Sequence, residues 1–362
     1  MSVNNMISQA MKHSCAKLPL AILMVLAGSC KQEFVEPSPT ASRGVFIVNE
    51  GAFGNANAEL SFYSPEDQSV TSNVFSGFNP GKTLGDIANR MVVADGLGYI
   101  VVNHSNKVEV IDIGTNKSVK TIQLSSSPRD IAIFSTNKAY VTNQDSTVSV
   151  VNLQTGTEVK KIVVGQYPEA VNIVGDKAYI CNGGFGSGRT VSILNTATDS
   201  VVKTLTLSDG PSYAVPASDG RLFVCCTGLT DYANAANSTD GRVYALNTAT
   251  DSIVDSLVIS GNPIGKLALS SGNLLYVIGP GSFSGGPVWK IDARQKLTVV
   301  SQAFATGSFY GVGVDPQTGD VYVGDAKGFA GNGTVTIFGE DGAKKHEILS
   351  GIGVAPNGFA FK

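Results

Sequence analysis

Short runs of alternating apolar and polar residues, separated by turns rich in Gly, Asn and Asp, recur along most of the chain. Alternation with a period of two is typical of half-buried antiparallel β-strands. One strand type has an aromatic residue near its start, as in AYVTN, and its aromatic positions are Phe46, Tyr99, Tyr140, Tyr179, Phe223, Tyr276 and Tyr322. Their spacing of roughly 40 to 53 residues is the period of four-stranded propeller blades.

Each unit repeats the same order of strands. The aromatic strand is followed by a loop, an alternating strand such as TVSVVN or TVSILN, a tight turn and an edge strand such as VVKTLTL. The next unit begins with a strand that often follows a proline, as in QYPEAVNIV. The segment LNTATDS occurs in two consecutive units, which indicates duplication of a repeat.

The two ends of the repeat region complement each other. The first unit, from Gly44, has an aromatic strand, ELSFYS and a predicted edge strand VTSNVF, but no leading strand. The last residues, GFAFK, form a leading strand with no unit after it. Because pairing them protects open edges, we predict an all-β, seven-bladed β-propeller of four-stranded antiparallel blades over residues 44–362. The C-terminal strand would complete the first blade, whereas the alternative, an open β-solenoid, leaves that strand unpaired.

Composition agrees with a turn-rich β protein. The chain has 362 residues, 41 of them Gly, and only 15% are charged. A formal net charge of −3 with scattered Lys and Arg gives no electrostatic basis for binding nucleic acid or an anionic membrane surface. Cys181 and Cys225 share a repeat position, which predicts small buried side chains; a metal site or a disulfide at Cys225 and Cys226 is the alternative.

The N-terminal segment has the order of an export signal. Lys12 and Lys17 precede an apolar run that is too short to span a bilayer. Its ending, LAGSC, resembles a bacterial lipoprotein signal, which implies that residues 1–30 are the signal and that Cys30 is the lipidation site. Cleavage by the ordinary signal peptidase is the alternative, and Met11 is an alternative start.

Residues 31–43, which include a Pro- and Ser-containing stretch, predict a flexible tether between lipid and propeller. The charged residues Lys31 and Glu33 resemble the export tags of surface lipoproteins. We therefore expect an outer-membrane lipoprotein, displayed at the cell surface and attached to the membrane through its lipid alone. A periplasmic location is the alternative.

Loops that follow the aromatic strand share one face of a propeller with the turns that lead into the next blade. They are minimal in the second and third units but long and rich in Gly in the other five. Aromatic faces with a few polar groups suit recognition of a large, partly apolar ligand, although such rings can instead fold over the channel as a plug. The candidate ligand-binding residues are Phe53, His104, Arg129, Tyr167, Glu169, Phe185, Arg189, Tyr213, Tyr232, Phe283, Tyr310 and Phe329.

Catalytic constellations are scarce, and we predict neither a catalytic residue nor a metal site. His104 is a candidate ligand or acid–base group, with a solvated loop residue as the alternative, and His346 is expected on the surface. No HExxH, CxxC or GxSxG motif is present. Glu50, Glu169 and Asp325 would face the channel from separate blades, as in metal-dependent propeller lactonases, but without supporting His.

AYVTN and the strand after it resemble the YVTN-type propeller repeat, across nearly all of residues 44–362. This resemblance implies the fold and little about chemistry. A sharper resemblance lies in the first blade and a half, to a group of surface lipoprotein propellers that includes the cobalamin-capturing propellers of outer-membrane corrinoid uptake. The residues that carry it are Asn49, Glu50, Gly51, Phe53, Gly54, Gly85 and Asp86.

The sharper resemblance implies that the protein holds cobalamin (vitamin B12) or a related corrinoid on the loop face. The corrinoid would be a ligand rather than a cofactor, and it would pass to a TonB-dependent outer-membrane transporter. Such capture needs no chemistry on the ligand. Two other functions stay open: a non-catalytic scaffold that contacts protein or glycan in the envelope, and a propeller lactonase or lyase.

Overall fold

Twenty-eight strands form within residues 43–362, which are the residues that the computed structural model describes. The predicted signal, Cys30 and all but the last residue of the tether lie outside this range. The first three units contain β1 (Val45–Asn49), β2 (Glu59–Ser64), β3 (Ser69–Thr71), β4 (Ala88–Ala94), β5 (Leu97–Val102), β6 (Lys107–Asp112), β7 (Ser118–Gln123), β8 (Pro128–Ser135), β9 (Lys138–Asn143), β10 (Thr147–Asn152) and β11 (Thr157–Val163). The fourth and fifth units contain β12 (Pro168–Val174), β13 (Lys177–Asn182), β14 (Thr190–Asn195), β15 (Ser200–Thr206), β16 (Pro211–Pro216), β17 (Arg221–Cys226), β18 (Gly241–Asn247) and β19 (Ser252–Ile259). The last strands are β20 (Leu267–Leu269), β21 (Leu274–Ile278), β22 (Gly286–Asp292), β23 (Thr298–Phe309), β24 (Gly311–Val314), β25 (Val321–Asp325), β26 (Thr334–Phe338), β27 (Lys344–Ile348) and β28 (Pro356–Phe361).

The strands form seven four-stranded antiparallel sheets, so the predicted seven-bladed propeller is confirmed. The innermost strand of each blade contacts the innermost strands of its two neighbours, in the ring order β28, β4, β8, β12, β16, β20, β24. The ring closes where β28 pairs with β1, with Phe361 opposite Val45 and Phe359 opposite Ile47. The C-terminal strand therefore completes the first blade, as predicted.

The outer edge of the first blade differs from the prediction. Only Val70 and Thr71 of the expected edge strand pair with β2, together with the preceding Ser69, and the chain then forms the short helix α1 (Val74–Phe78). The Glu59 carboxylate accepts hydrogen bonds from the first helical N–H groups, those of Phe75 at 2.8 Å and Ser76 at 3.1 Å. Since Val74, Phe75 and Phe78 are buried against the first two blades, apolar packing favours the helix over a longer edge strand.

Apolar cores lie between neighbouring blades. Tyr140, Tyr179, Tyr276 and Tyr322 are among the largest fully buried side chains, which explains why the aromatic position repeats. Cys181 packs between the fourth and fifth blades and Cys225 between the fifth and sixth, so their predicted burial is confirmed. Cys226 is buried as well, and these three thiols are free. Within residues 43–362 no helix is long and apolar enough to span a bilayer.

Candidate functional site

The innermost strands all begin at one face of the ring, termed the loop face. It is formed by the turns that lead into these strands and by the loops between the second and third strands. Within the described part of the chain, four of these loops contain a short 3₁₀ turn: Asn103–Ser105, Gly184–Gly186, Ala235–Asn237 and Lys327–Phe329. Loops carry recognition residues more readily than strands because their sequence is not fixed by core packing.

The central channel widens below the loop face into a cavity of about 400 Å³. Most polar residues of its wall lie near the beginnings of the innermost strands. They include Glu50, Arg90, Arg129, Asp130, Glu169, Tyr213, Lys266, Tyr310 and Asn357. Toward the opposite end the wall is apolar, with Pro216, Leu269, Val314 and Phe361. The channel is therefore polar at the loop face and apolar at depth.

Two ion pairs link the second, third and fourth blades across the channel wall. Arg129 Nε donates to Glu169 Oε2 at 2.8 Å, and Arg90 Nη1 donates to Asp130 Oδ2 at 2.9 Å. Asp130 also accepts backbone N–H groups, and its burial raises the pKa of its carboxyl. For Arg129, burial acts to lower the pKa, but the neighbouring Glu169 carboxylate more than offsets this and the pKa is raised.

A second polar group joins the last two blades to the first. Glu50 Oε2 accepts from the Tyr310 hydroxyl at 2.9 Å and from Asn357 Nδ2 at 2.6 Å. Lys266 Nζ donates to the Asn357 carbonyl at 2.6 Å and lies 5.0 Å from the Tyr310 ring centroid. Burial lowers the pKa of Lys266 to about 8, with the attraction of Glu50 opposing that shift. The hydroxyl of Tyr213 has no hydrogen-bond partner within residues 43–362 and lines the same cavity.

Exposed aromatic rings surround this channel mouth. The aromatic crown consists of Phe53, Tyr167, Phe185, Tyr232, Phe283 and Phe329. Four of its members are largely exposed: Phe53 (74%), Phe185 (68%), Tyr232 (89%) and Phe283 (78%). These four rings are therefore exposed to solvent rather than packed over the channel.

Four of the six crown rings form two pairs. Tyr167 and Phe185 have ring centroids 4.3 Å apart, and those of Phe283 and Phe329 are 5.6 Å apart. Phe329 also contacts Tyr310 of the channel wall, at 5.1 Å in an edge-on arrangement. The crown is thereby continuous with the polar cavity on the side of the seventh blade.

Three crown residues have an unfavourable backbone conformation. Tyr167 (φ 40°), Phe185 (φ 53°) and Phe329 (φ 63°) lie in the left-handed region, where a bulky side chain is rare. Such a conformation costs on the order of 1–2 kcal/mol relative to Gly. Glycine would fit these turns with less strain, so folding alone does not explain aromatic residues there.

His104 is held in place on the loop face. Its Nδ1 lies 2.8 Å from Asp86 Oδ2, which also accepts the N–H of Gly54 at 2.8 Å. The ring of Phe53 lies beside the imidazole, with centroids 4.6 Å apart. His104 is therefore a half-exposed loop residue whose ring is held by Asp86.

The remaining candidates Arg189, Asp325 and His346 do not line the cavity. Arg189 is paired with Asp209 through both carboxylate oxygens. Asp325 forms an ion pair with Lys327 and does not line the cavity, so its expected place at the channel is wrong. His346 stacks on Tyr63, with centroids 5.7 Å apart, on the outermost strand of the seventh blade.

Sequence reasoning did not select five residues of this site as ligand-binding: Asp86, which it named only for the family resemblance, and Arg90, Asp130, Lys266 and Asn357. All five lie at or just before an innermost strand, as Arg129 and Glu169 do. The sequence signal that could have identified them is a polar residue just after a turn, at the start of a strand that is otherwise apolar. Among the described residues, no three His, Cys, Asp or Glu side chains are grouped so that they could hold a metal ion.

Comparisons with known proteins agree with the fold. A family model described as Domain of unknown function (DUF5074) matches residues 43–349. A comparison with curated proteins finds no match.

Several solved structures share the architecture. A candidate 6-phosphogluconolactonase of Bacteroides fragilis is similar with a TM-score of 0.68 and 15% identity, covering 90% of this chain and 100% of that one. A quinonprotein alcohol dehydrogenase-like protein of Bacteroides thetaiotaomicron has a TM-score of 0.65 and 13% identity, over 89% and 78% of the two chains. The WD40 propeller domain of Doa1 has a TM-score of 0.59 and 14% identity, over 79% and 88%. At such identities the likeness shows the fold alone. Because the family match spans most of the chain, the protein belongs to the family described as Domain of unknown function (DUF5074).

Proposed function

We propose that the protein is a ligand-capture module that binds a large ligand on the loop face of its propeller without transforming it. The observation that carries the proposal is the aromatic crown around a polar channel mouth. Exposed aromatic rings lower the solubility of a protein, and aromatic residues with a left-handed backbone conformation lower its stability. Both features therefore point to selection for contact with a ligand.

The ligand class follows from the two surfaces. The crown offers ring faces to a broad apolar surface, while Lys266, Arg129 and Tyr213 offer donors to acceptor groups below it. A corrin has a broad face edged by amide side chains, and it matches this division. It would rest on the crown with side chains reaching toward the channel, because a cavity of about 400 Å³ suits a side group better than the macrocycle.

The proposal assigns no reaction to the channel carboxylates. Glu169 is neutralised by Arg129, and Glu50 is held by Tyr310 and Asn357. These charged and hydrogen-bonding partners hold both carboxylates in fixed positions, as expected for the wall of a binding site. Turnover of a lactone or ester by the pure protein would contradict this part.

In the same proposal, lipid on Cys30 anchors the propeller in the outer membrane at the cell surface. A TonB-dependent transporter then receives the ligand. Mass spectrometry of the N-terminal peptide tests the anchor, with an acylated Cys30 as the expected result. Protease access in intact cells distinguishes surface display from a periplasmic location, and co-purification tests the transporter.

Binding is tested by titrating the purified protein with cobalamin, cobinamide and haem while following the fluorescence of Trp289, the single Trp of the chain. Saturable quenching with a stoichiometry of one is expected for at least one corrinoid. If neither cobalamin nor cobinamide binds, the corrinoid version is overturned. Co-purification with a membrane partner in that case favours the scaffold function.

A further inference from the structure

His104 and Asp86 form a built pair on the loop face. Asp86 is buried, and its Oδ2 accepts from both His104 Nδ1 and the Gly54 N–H, each at 2.8 Å. The backbone reinforces the pair, because the His104 N–H donates to the Asp86 carbonyl at 3.1 Å. Ser105 Oγ also accepts the Asp86 N–H at 2.9 Å. Orientation of the imidazole is therefore fixed by several contacts at once.

This pairing determines where the imidazole proton lies. An ionised carboxylate only accepts hydrogen bonds, so Nδ1 carries the proton and donates it to Asp86. In the neutral ring Nε2 then keeps a free lone pair. No hydrogen bond to Nε2 forms within residues 43–362, and about half of the His104 side chain is exposed. With a neutral ring, the loop face presents one oriented nitrogen ligand.

Its surroundings indicate what such a ligand would meet. The Phe53 ring lies 4.6 Å from the imidazole, centroid to centroid, and is itself 74% exposed. A carboxylate behind the far ring nitrogen is the usual support of a metal-bound imidazole. Yet no three potential metal ligands are grouped among the described residues, so the site does not suit a bare ion. One nitrogen is sufficient only for a metal whose other positions are already filled.

We propose that His104 Nε2 is an axial ligand to the metal of a corrin-type macrocycle, with Asp86 as its positioning residue and Phe53 alongside. The inference rests on the proposed capture function and deepens it, because it names the contact between protein and ligand. Binding forms one nitrogen–metal bond and releases the water that held the axial position. No electron is transferred, and the proton stays on Nδ1.

Visible spectroscopy tests the proposal with the full-length protein and three probes. Aquocobalamin, the protonated form of hydroxocobalamin, and diaquocobinamide carry an axial water that imidazole can replace, whereas cyanocobalamin has cyanide in that position. The wild type is expected to shift the visible bands of the two aquo forms in a saturable manner and to leave those of cyanocobalamin in place. His104→Gln should abolish the shift and weaken binding of the aquo forms at least tenfold, with little change for cyanocobalamin.

Two further variants distinguish loss of the metal ligand from a general effect of substitution on the fold. Asp86→Asn should keep the band shift but weaken binding of the aquo forms about 10- to 100-fold. His346→Gln, the matched control on the seventh blade, should match the wild type in spectrum and affinity.

The failures are distinguishable. Tight binding with no band shift, or an equal shift in His104→Gln, overturns the axial ligand while capture stands. If the wild type binds none of the three probes, the axial ligand and the corrinoid version of the function fall together.

Discussion

The hydroxyl of Tyr179 in the fourth blade donates a hydrogen bond to Asp251 Oδ1, 2.6 Å away in the fifth blade. Lys177 Nζ contacts the same carboxylate at 2.8 Å. Tyr140 and Asp199 repeat the arrangement between the third and fourth blades. Both aspartates come from the duplicated LNTATDS segment, so this turn connects each of these blades to the one before it.

Removing this hydroxyl should destabilise the propeller. Tyr179→Phe leaves the buried ring in place but deprives Asp251 of a donor, and a loss of about 1 kcal/mol is expected. Tyr276 occupies the same repeat position, yet its hydroxyl is buried without a hydrogen-bond partner in the described structure. Tyr276→Phe should therefore be neutral or stabilising. Urea denaturation of the two variants provides the measurement, and equal losses would contradict the interpretation.

Replacing a strained crown residue should separate stability from binding. Phe185→Gly relieves a left-handed backbone, and we expect a stability change between zero and a gain of about 1 kcal/mol. Ligand affinity should fall, since the ring is lost. Phe53 is outside the left-handed region, so Phe53→Gly should cost about 0.5–1 kcal/mol. Thermal unfolding and ligand titration of both variants test this, and destabilisation by Phe185→Gly would count against it.

Lys266 predicts a pH-dependent stability. Its folded pKa of about 8 lies below the ordinary value of 10.5, so holding the charged amine in the channel opposes folding below pH 8. Between these values the unfolded chain binds the proton and the folded one does not, and this contribution to stability rises with pH. Lys266→Met should gain up to about 3 kcal/mol over the wild type at pH 7, at ~1.4 kcal/mol per pKa unit, less about 1 kcal/mol for the lost hydrogen bond to the Asn357 carbonyl.

The measurement is the difference in urea midpoint between Lys266→Met and wild type, taken from pH 7 to pH 10. This difference should shrink as pH rises. Subtracting the two proteins cancels tyrosines and other groups that titrate in the same range. A constant or growing difference would contradict the assignment.

The buried thiols should be unreactive in the native protein. Burial raises the pKa of Cys226 to about 12 and also raises the pKa values of Cys181 and Cys225. Alkylation at pH 8 followed by peptide mapping should leave these three unlabelled until denaturant is added. Rapid labelling of Cys225 in the native state would show that the cleft between the fifth and sixth blades opens readily.

Strand order and ring closure could be predicted because both follow from the local repeat of apolar and aromatic positions along the chain. The aromatic position marks each second strand, and the unpaired GFAFK leaves one possible partner, so β28 was assignable. Helix α1 was not, since its capping depends on Glu59, which lies 15 residues earlier than the helix start at Val74 in the chain. A β-like sequence was overridden there by a tertiary contact.

The site was predictable in its outline and not in its contacts. Loop length and aromatic content identified the crown residues Phe53, Phe185, Tyr232 and Phe283, whose exposure needs no knowledge of partners. The pairing of Glu50 with Tyr310, 260 positions apart, arises only when the ring closes. Lys266 was missed for the same reason, because its place in the site depends on which groups from other blades lie beside it in the channel.

The most direct test of ligand capture is calorimetric titration of a corrinoid into the wild type and into Phe53→Ser/Phe185→Ser/Phe283→Ser. Phe134→Ser is the control, because Phe134 is exposed near the end of β8, at the opposite face. We predict one corrinoid per chain for the wild type and no change in affinity for the control. The triple variant should lose at least tenfold in affinity. A tenfold loss is about 1.4 kcal/mol, which a single lost stacking contact can supply. Equal affinity in all three proteins, or no binding by the wild type, would contradict the account.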